Sequence, residues 1–154
     1  MIKLKSLLWN LFIPVFGGVV VGFLTKDSMN VYSQAVQPKL APPPVVFPIV
    51  WSILYILMGI SSYMIYESKS IRKEKSLYVY YIQLILNFTW PFVFFNSKMF
   101  LVAFCVLMLL WAVAIWMAVL FYKIKPVAAY LQIPYLIWLG FAAYLNLSIG
   151  ILNS

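Results

Sequence analysis

The chain is 154 residues long, 66% hydrophobic and 19% aromatic, with only 9% charged residues, a formal net charge of +8 and a mean hydropathy of +1.00. Soluble domains carry about 25% charged residues, so this composition excludes a water-soluble fold and describes a chain whose solvent is the lipid bilayer. Histidine is absent and Cys105 is the single cysteine, which removes the commonest metal ligand and general base and forbids an intrachain disulfide.

Windows of about 19 residues give five apolar segments, each long enough for the roughly 30 Å of hydrocarbon. They predict an all-α integral membrane bundle of five transmembrane helices in a single domain, residues 1–154. The first segment is predicted over 7–24. It follows "MIKLKS", which resembles the charged start of a signal peptide, but its apolar run is long and has no small-x-small cleavage site, so it is read as a membrane helix. Gly18 and Gly22 within it have the spacing of a small-residue helix contact.

A loop over 25–45 follows, and its end runs into the second segment as "QPKLAPPPVVFPIVWSILY" (37–55). The prolines limit the loop's unfolded freedom, and Pro48 sits in the first turn of a helix, where a missing N–H costs nothing. The second segment is predicted over 46–66, with Trp51, Tyr55, Met58 and Ser62 spaced to share one face. The third, 77–95, repeats the arrangement with Gln83, Asn87, Trp90 and Phe94. Amides are costly in hydrocarbon unless partnered, so Gln83 and Asn87 are expected to face the bundle interior or a cavity. Pro91 has no N–H for the carbonyl of Asn87 four residues earlier, which adds to a polar spot in this helix. The fourth segment, 99–122, carries Cys105, expected to serve packing. It also carries Trp111 and Trp116, expected to face lipid or to pack, and Ala114 and Ala118 at small-residue spacing. The fifth, 127–152, sets Pro134, Trp138, Ala142 and Leu145 on one face, with Ala142 small enough to leave room beside the indole and Asn146 on the border.

Charge sets the orientation. One face holds Lys3, Lys5, Lys69, Arg72, Lys73, Lys75, Lys123 and Lys125; the other holds Lys26, Lys39 and Lys98. The positive-inside rule puts the N-terminus in the cytoplasm, and the C-terminus and the 25–45 loop outside. These cations are dispersed over short loops, so they read as topology determinants and no nucleic-acid partner is expected. Asp27, Glu67 and Glu74 are the only acids and fall at loops or helix ends. No metal site and no Ser-His-Asp, Cys-His or paired-carboxylate chemistry is expected. Each aromatic also has a plain reading: Trp9 and Trp90 suit an interfacial belt, and Asn87 suits interhelical hydrogen bonding, worth ~0.6 kcal/mol on average. The residues alone leave both a ligand site around Trp51, Asn87 and Trp138 and simple helix packing open.

"PPPVVFPIVWSILYILMGISSY" (42–63), "QLILNFTWPFVFF" (83–95) and "PYLIWLGFAAYLNLSI" (134–149) resemble the signature segments of the translocator protein family, also called tryptophan-rich sensory proteins or peripheral-type benzodiazepine receptors. The resemblance covers essentially the whole chain and identifies a bacterial member, placed in the cell membrane. It implies a pocket that opens toward the 25–45 loop, with that loop as a lid. The implied ligands are porphyrins such as protoporphyrin IX, benzodiazepine-site ligands and, in animal members, cholesterol. No cofactor is required; the porphyrin is ligand or substrate. The implied ligand-binding residues are Tyr32, Pro42, Phe47, Trp51, Tyr55, Gln83, Asn87, Trp90, Trp138, Ala142 and Leu145. A homodimer is implied as well. The sterol motif of animal members needs a basic residue near the end of the last helix, and none follows Tyr144 here, so a tetrapyrrole is favoured over a sterol. Three functions stay open at this point: a receptor or transporter that binds the porphyrin, an enzyme-like light- and oxygen-dependent breakdown of it with Trp51 and Trp138 as catalytic residues, and a structural or regulatory membrane protein without turnover.

Overall fold

The computed structural model describes the whole chain, Met1–Ser154. Helix α1 spans Leu4–Thr25 and continues into a 3-10 turn, Lys26–Met29, and the short helix α2, Asn30–Gln34. After an extended stretch come α3 (Val46–Tyr66), α4 (Lys73–Pro91), a π turn (Phe92–Asn96), α5 (Phe100–Ile124), α6 (Pro126–Tyr130) and α7 (Ile133–Leu152). Five helical stretches are long and apolar enough to cross a membrane, and there are no strands. This is an all-α integral membrane protein, as hydrocarbon demands of a chain that must pair its own backbone groups.

Prolines explain where the helices change. Pro14 lies buried within α1 and has no N–H for the Asn10 carbonyl. Pro91 ends α4, and the chain widens there into the π turn, with the Ser97 N–H donating to Phe92 O at 3.0 Å. The apolar run 127–152, which reads as one helix in the sequence, is two. Pro134 cannot donate to the Tyr130 carbonyl, and the turn at Leu131 and Gln132 tightens, with the Gln132 N–H reaching Ala129 O at 3.0 Å.

The long helices form a ring. α1 packs along α3 and against α4, α4 packs on α5, and α5 on α7 and α6. α3 also meets α4 and α6, whereas α3 and α7 stand apart, and this seam positions the site below. The core is formed by Met58, Ile65, Leu107, Leu110, Met117, Phe121, Leu139 and Ile149, all essentially without exposure. Ala114 and Ala118 are buried in the bundle. Gly18 receives the Tyr55 ring, but Gly22 has nothing near it, so only the first of the two glycines makes a helix contact. Cys105, expected to pack, is exposed on the outside of α5. The buried positions of that helix, Ala103, Leu107 and Leu110, lie on the opposite face from it. Trp9 and Trp116 are also outward-facing, while Trp111 packs over Gly140.

At the end of the bundle opposite the 25–45 segment, the Lys3 ammonium lies 2.9 Å from the Glu67 carboxylate. The hydrogen bond and charge of Lys3 hold the Glu67 carboxyl below the usual carboxylate range, and Glu67 raises Lys3 in turn. Both groups are solvated, so the pair is a minor tether for the start of α1.

Candidate ligand-binding site

Four polar side chains meet in the middle of the bundle. The Tyr55 hydroxyl of α3 donates to Asn87 Oδ1 of α4 at 2.6 Å, and Asn87 Nδ2 donates to the Tyr135 hydroxyl of α7 at 2.8 Å. That hydroxyl donates onward to Gln83 Oε1 at 2.7 Å. The sequence spacing of Gln83 and Asn87 points both amides inward, and they are buried to 0% and 1% exposure. Both ends of the Asn87 amide are therefore engaged by protein. Gln83 Nε2 has no protein partner.

Nearer the lid lies a second group. Trp90 Nε1 donates to Asn146 Oδ1 at 2.8 Å, and Asn146 Nδ2 donates to Phe100 O at 2.7 Å. Around it, Tyr32 and Phe47 from the lid side, Trp90, Phe94 and Phe95, and Ala142, Leu145, Asn146 and Ile149 of α7 enclose only about 10 Å3, room for one water at most. Tyr32 is almost completely buried, donates to Pro42 O at 2.6 Å and meets Phe47 edge-on.

The third feature is the seam between α3 and α7. Val50, Ile53 and Leu54 face Pro134, Ile137, Trp138 and Phe141 across an apolar groove of about 410 Å3, within the usual range of small-molecule sites. The surface of the groove is wholly apolar. Trp138 Nε1 is shielded and has no hydrogen-bond partner, and an indole N–H is a donor only. The Trp138 ring meets Phe47 at 5.9 Å and Phe141 at 5.5 Å. Trp51 sits behind the groove, stacked on Tyr55 at 5.5 Å and edge-on to Tyr135 at 6.2 Å.

The residues singled out in the sequence thus fall into three neighbouring places. Tyr55, Gln83 and Asn87 form the inner network; Tyr32, Phe47, Trp90, Ala142 and Leu145 close the small cavity, with Pro42 accepting from Tyr32; Trp138 lines the groove, and Trp51 links it to the network. Trp90 is an interior hydrogen-bond donor, not a belt residue. Sequence reasoning set Asn146 on the border of the Trp138 face and did not count it among the binding residues, although an amide in an apolar run carries the same signal that marked Asn87. It also passed over Ile137 and Phe141, which share a face with Pro134 by their spacing.

Because Asn87 serves two tyrosines, Asn87→Ala is expected to strand the Tyr55 hydroxyl and to cost about 1–3 kcal/mol of stability, above the ~0.6 kcal/mol average of an interhelical bond. Thermal unfolding in detergent checks this; unfolding at the parent temperature would mean that the tyrosines find other partners.

Comparison with known proteins agrees with this architecture. The model of the TspO/MBR family matches residues 10–152. The chain is 32% identical over 145 residues to "Translocator protein homolog" of Schizosaccharomyces pombe, covering 92% of this chain and 88% of that one. It is 34% identical over 133 residues to "Tryptophan-rich protein TspO" of Chlorobaculum tepidum, covering 85% and 84%. To "Translocator protein" of Sus scrofa it is 36% identical over 146 residues, covering 87% and 86%. The match runs through all five spanning helices and through the network, cavity and groove alike, and the chain belongs to the TspO/MBR family.

Proposed function

We propose that this protein is a membrane receptor for flat, apolar tetrapyrroles of the protoporphyrin IX class and for benzodiazepine-site type ligands, and that it needs no cofactor. The observation that carries the reading is the α3–α7 groove, apolar on both walls and lined by the Trp138 and Phe141 rings. A planar macrocycle fills such a slot with its faces and offers acceptors at its edge, and aromatic walls reward stacking by about 0.5–1.5 kcal/mol per ring beyond area burial. Titration of the purified protein with protoporphyrin IX, followed by its Soret band and by tryptophan fluorescence, is expected to saturate at one porphyrin per chain. Absence of saturable binding refutes the reading.

A second reading builds on the same indoles: light- and oxygen-dependent breakdown of the bound porphyrin, with Trp51 and Trp138 as the reacting side chains. It is favoured by the half-buried setting of both rings beside the groove.

The same proposal places the N-terminus in the cytoplasm and the C-terminus and lid outside, in a bacterial cell membrane, with two copies pairing as a homodimer. A tag at Ser154 is expected to be reachable from outside intact cells and a tag at Met1 is not; labelling in the opposite sense overturns the orientation.

A further inference from the structure

The small cavity under the lid is shut. About 10 Å3 remains between Tyr32, Phe47, Trp90 and α7, far below the roughly 300 Å3 that a small-molecule site needs, so a ligand reaches the Trp90 and Asn146 side chains only if the lid moves. One side chain ties the lid to the bundle from the far end of the sequence. Asn153, which caps α7, accepts from the Val36 N–H through Oδ1 at 2.9 Å and donates from Nδ2 to Val36 O at 3.0 Å. This two-way pairing copies what a neighbouring strand would give to residue 36. The second hydrogen of Nδ2 reaches Ile149 O at 2.8 Å, and the Ile149 side chain lines the cavity itself. A single carboxamide therefore bridges the lid backbone to the last turn of the helix that forms the cavity wall. The other hydrogen bonds of the lid stay within it, the Tyr32 hydroxyl on Pro42 O, Gln37 Nε2 on Tyr32 O, and the Ala41 N–H on Pro38 O, and its remaining hold on the bundle is apolar packing by Met29, Tyr32, Ala35 and Ala41.

We propose that Asn153 is the positioning residue that clasps the lid shut, and that a tetrapyrrole reaches the cavity beneath it through release of the Val36–Asn153 pair. The proposal rests on the reading of the groove as a porphyrin site and extends that site beneath the lid, because Phe47 lines the cavity and its ring meets Trp138 of the groove at 5.9 Å. It follows that the closed fraction withholds the cavity from the ligand, and that loosening the clasp raises the fraction competent to bind.

The test compares the parent with Asn153→Ala and Asn153→Asp. Asn153→Ala removes both bonds to Val36; Asn153→Asp keeps the acceptor and deletes the donors. Asn153 is exposed at the chain end, so neither change endangers the fold. Hydrogen exchange of the Val36 amide is expected to quicken about fivefold in Asn153→Ala, the factor for two net hydrogen bonds at the low end of their range, and less in Asn153→Asp. The association rate of protoporphyrin IX, followed by tryptophan quenching, is expected to rise in the same order. Exchange at the parent rate in Asn153→Ala overturns the clasp. Faster exchange with porphyrin association unchanged overturns passage beneath the lid. If none of the three proteins binds porphyrin, the receptor reading falls, and the exchange rates alone decide whether Asn153 holds the lid.

Discussion

Gly59→Ala is expected to destabilise the bundle by about 3 kcal/mol, the upper part of the range for forcing extra atoms into a packed interior, and Gly22→Ala is expected to leave it unchanged. A β-carbon at position 59 would lie 2.8 Å from the Leu11 α-carbon and 2.9 Å from the Asn10 carbonyl oxygen. Both are backbone atoms, so no rotamer change relieves the overlap and α1 must move away. The surroundings make that movement expensive. Pro14 leaves the Asn10 carbonyl without its helical donor, and the close approach of the Gly59 backbone covers that oxygen. The Ser62 hydroxyl, one turn along α3, donates to Asn10 Oδ1 at 3.0 Å, and Asn10 Nδ2 donates to Ser6 O at 2.9 Å. Displacing α1 breaks the interhelical bond and exposes a buried amide to hydrocarbon, a setting in which association depends on close packing and on such bonds more than on a hydrophobic drive. Gly22 is the control, because it lies in α1, the helix that Gly59 touches, with open space around its α-carbon. Thermal unfolding of the two variants in one detergent reads the difference directly; equal melting points would show that α1 slides to accept the methyl group without loss.

That contrast also shows which parts of the molecule the sequence displays. Hydropathy reveals the five spans because every lipid-exposed turn must be apolar, and the inward direction of Gln83 and Asn87 follows from the cost of an unpaired amide in hydrocarbon. Neither argument says which of two identical small residues touches a neighbour: Gly18 and Gly22 differ only in where α3 passes, a tertiary fact. Cys105 went astray for the same reason, since a small apolar side chain suits lipid and core equally, and only the register of α5 decides. The split of α6 from α7 was visible in Pro134 but was hidden by the unbroken apolar run around it. The site was legible as a set of residues and illegible as an arrangement. Trp51 and Trp138 look equivalent along the chain, yet one is stacked against Tyr55 beside the inner network while the other lines the open seam with its N–H unpaired. The seam itself is set by α3 and α7 diverging, which no local pattern encodes. The lid clasp joins residues 117 apart, and an asparagine at a helix end reads simply as a cap.

Replacing both Trp51 and Trp138 with phenylalanine is expected to abolish light-dependent loss of protoporphyrin IX while leaving its binding within about thirtyfold of the parent. Phenylalanine keeps an aromatic face at each position, so the change in affinity is confined to the difference between aromatic contacts, about 1 kcal/mol or less for each ring. The chemistry has no such partial substitute. Breakdown consumes light absorbed by the porphyrin and dioxygen as oxidant, and the readily oxidised side chains next to the groove are these two indoles together with the Tyr55 and Tyr135 phenols, whose hydroxyls are committed to Asn87 and Gln83. Trp90 is close by, but its N–H is held by Asn146 behind the closed cavity. The single variants separate the two rings. Trp138→Phe, which replaces the indole ring that lines the groove, is expected to slow the loss more than Trp51→Phe, whose ring stands one layer back against Tyr135. The Soret band, followed under illumination and in the dark on the same samples used for the titration, measures both quantities at once. Porphyrin loss at the parent rate in the double variant rules out the indoles as reacting groups and leaves a receptor. Lost binding in both single variants would show instead that these rings chiefly shape the groove.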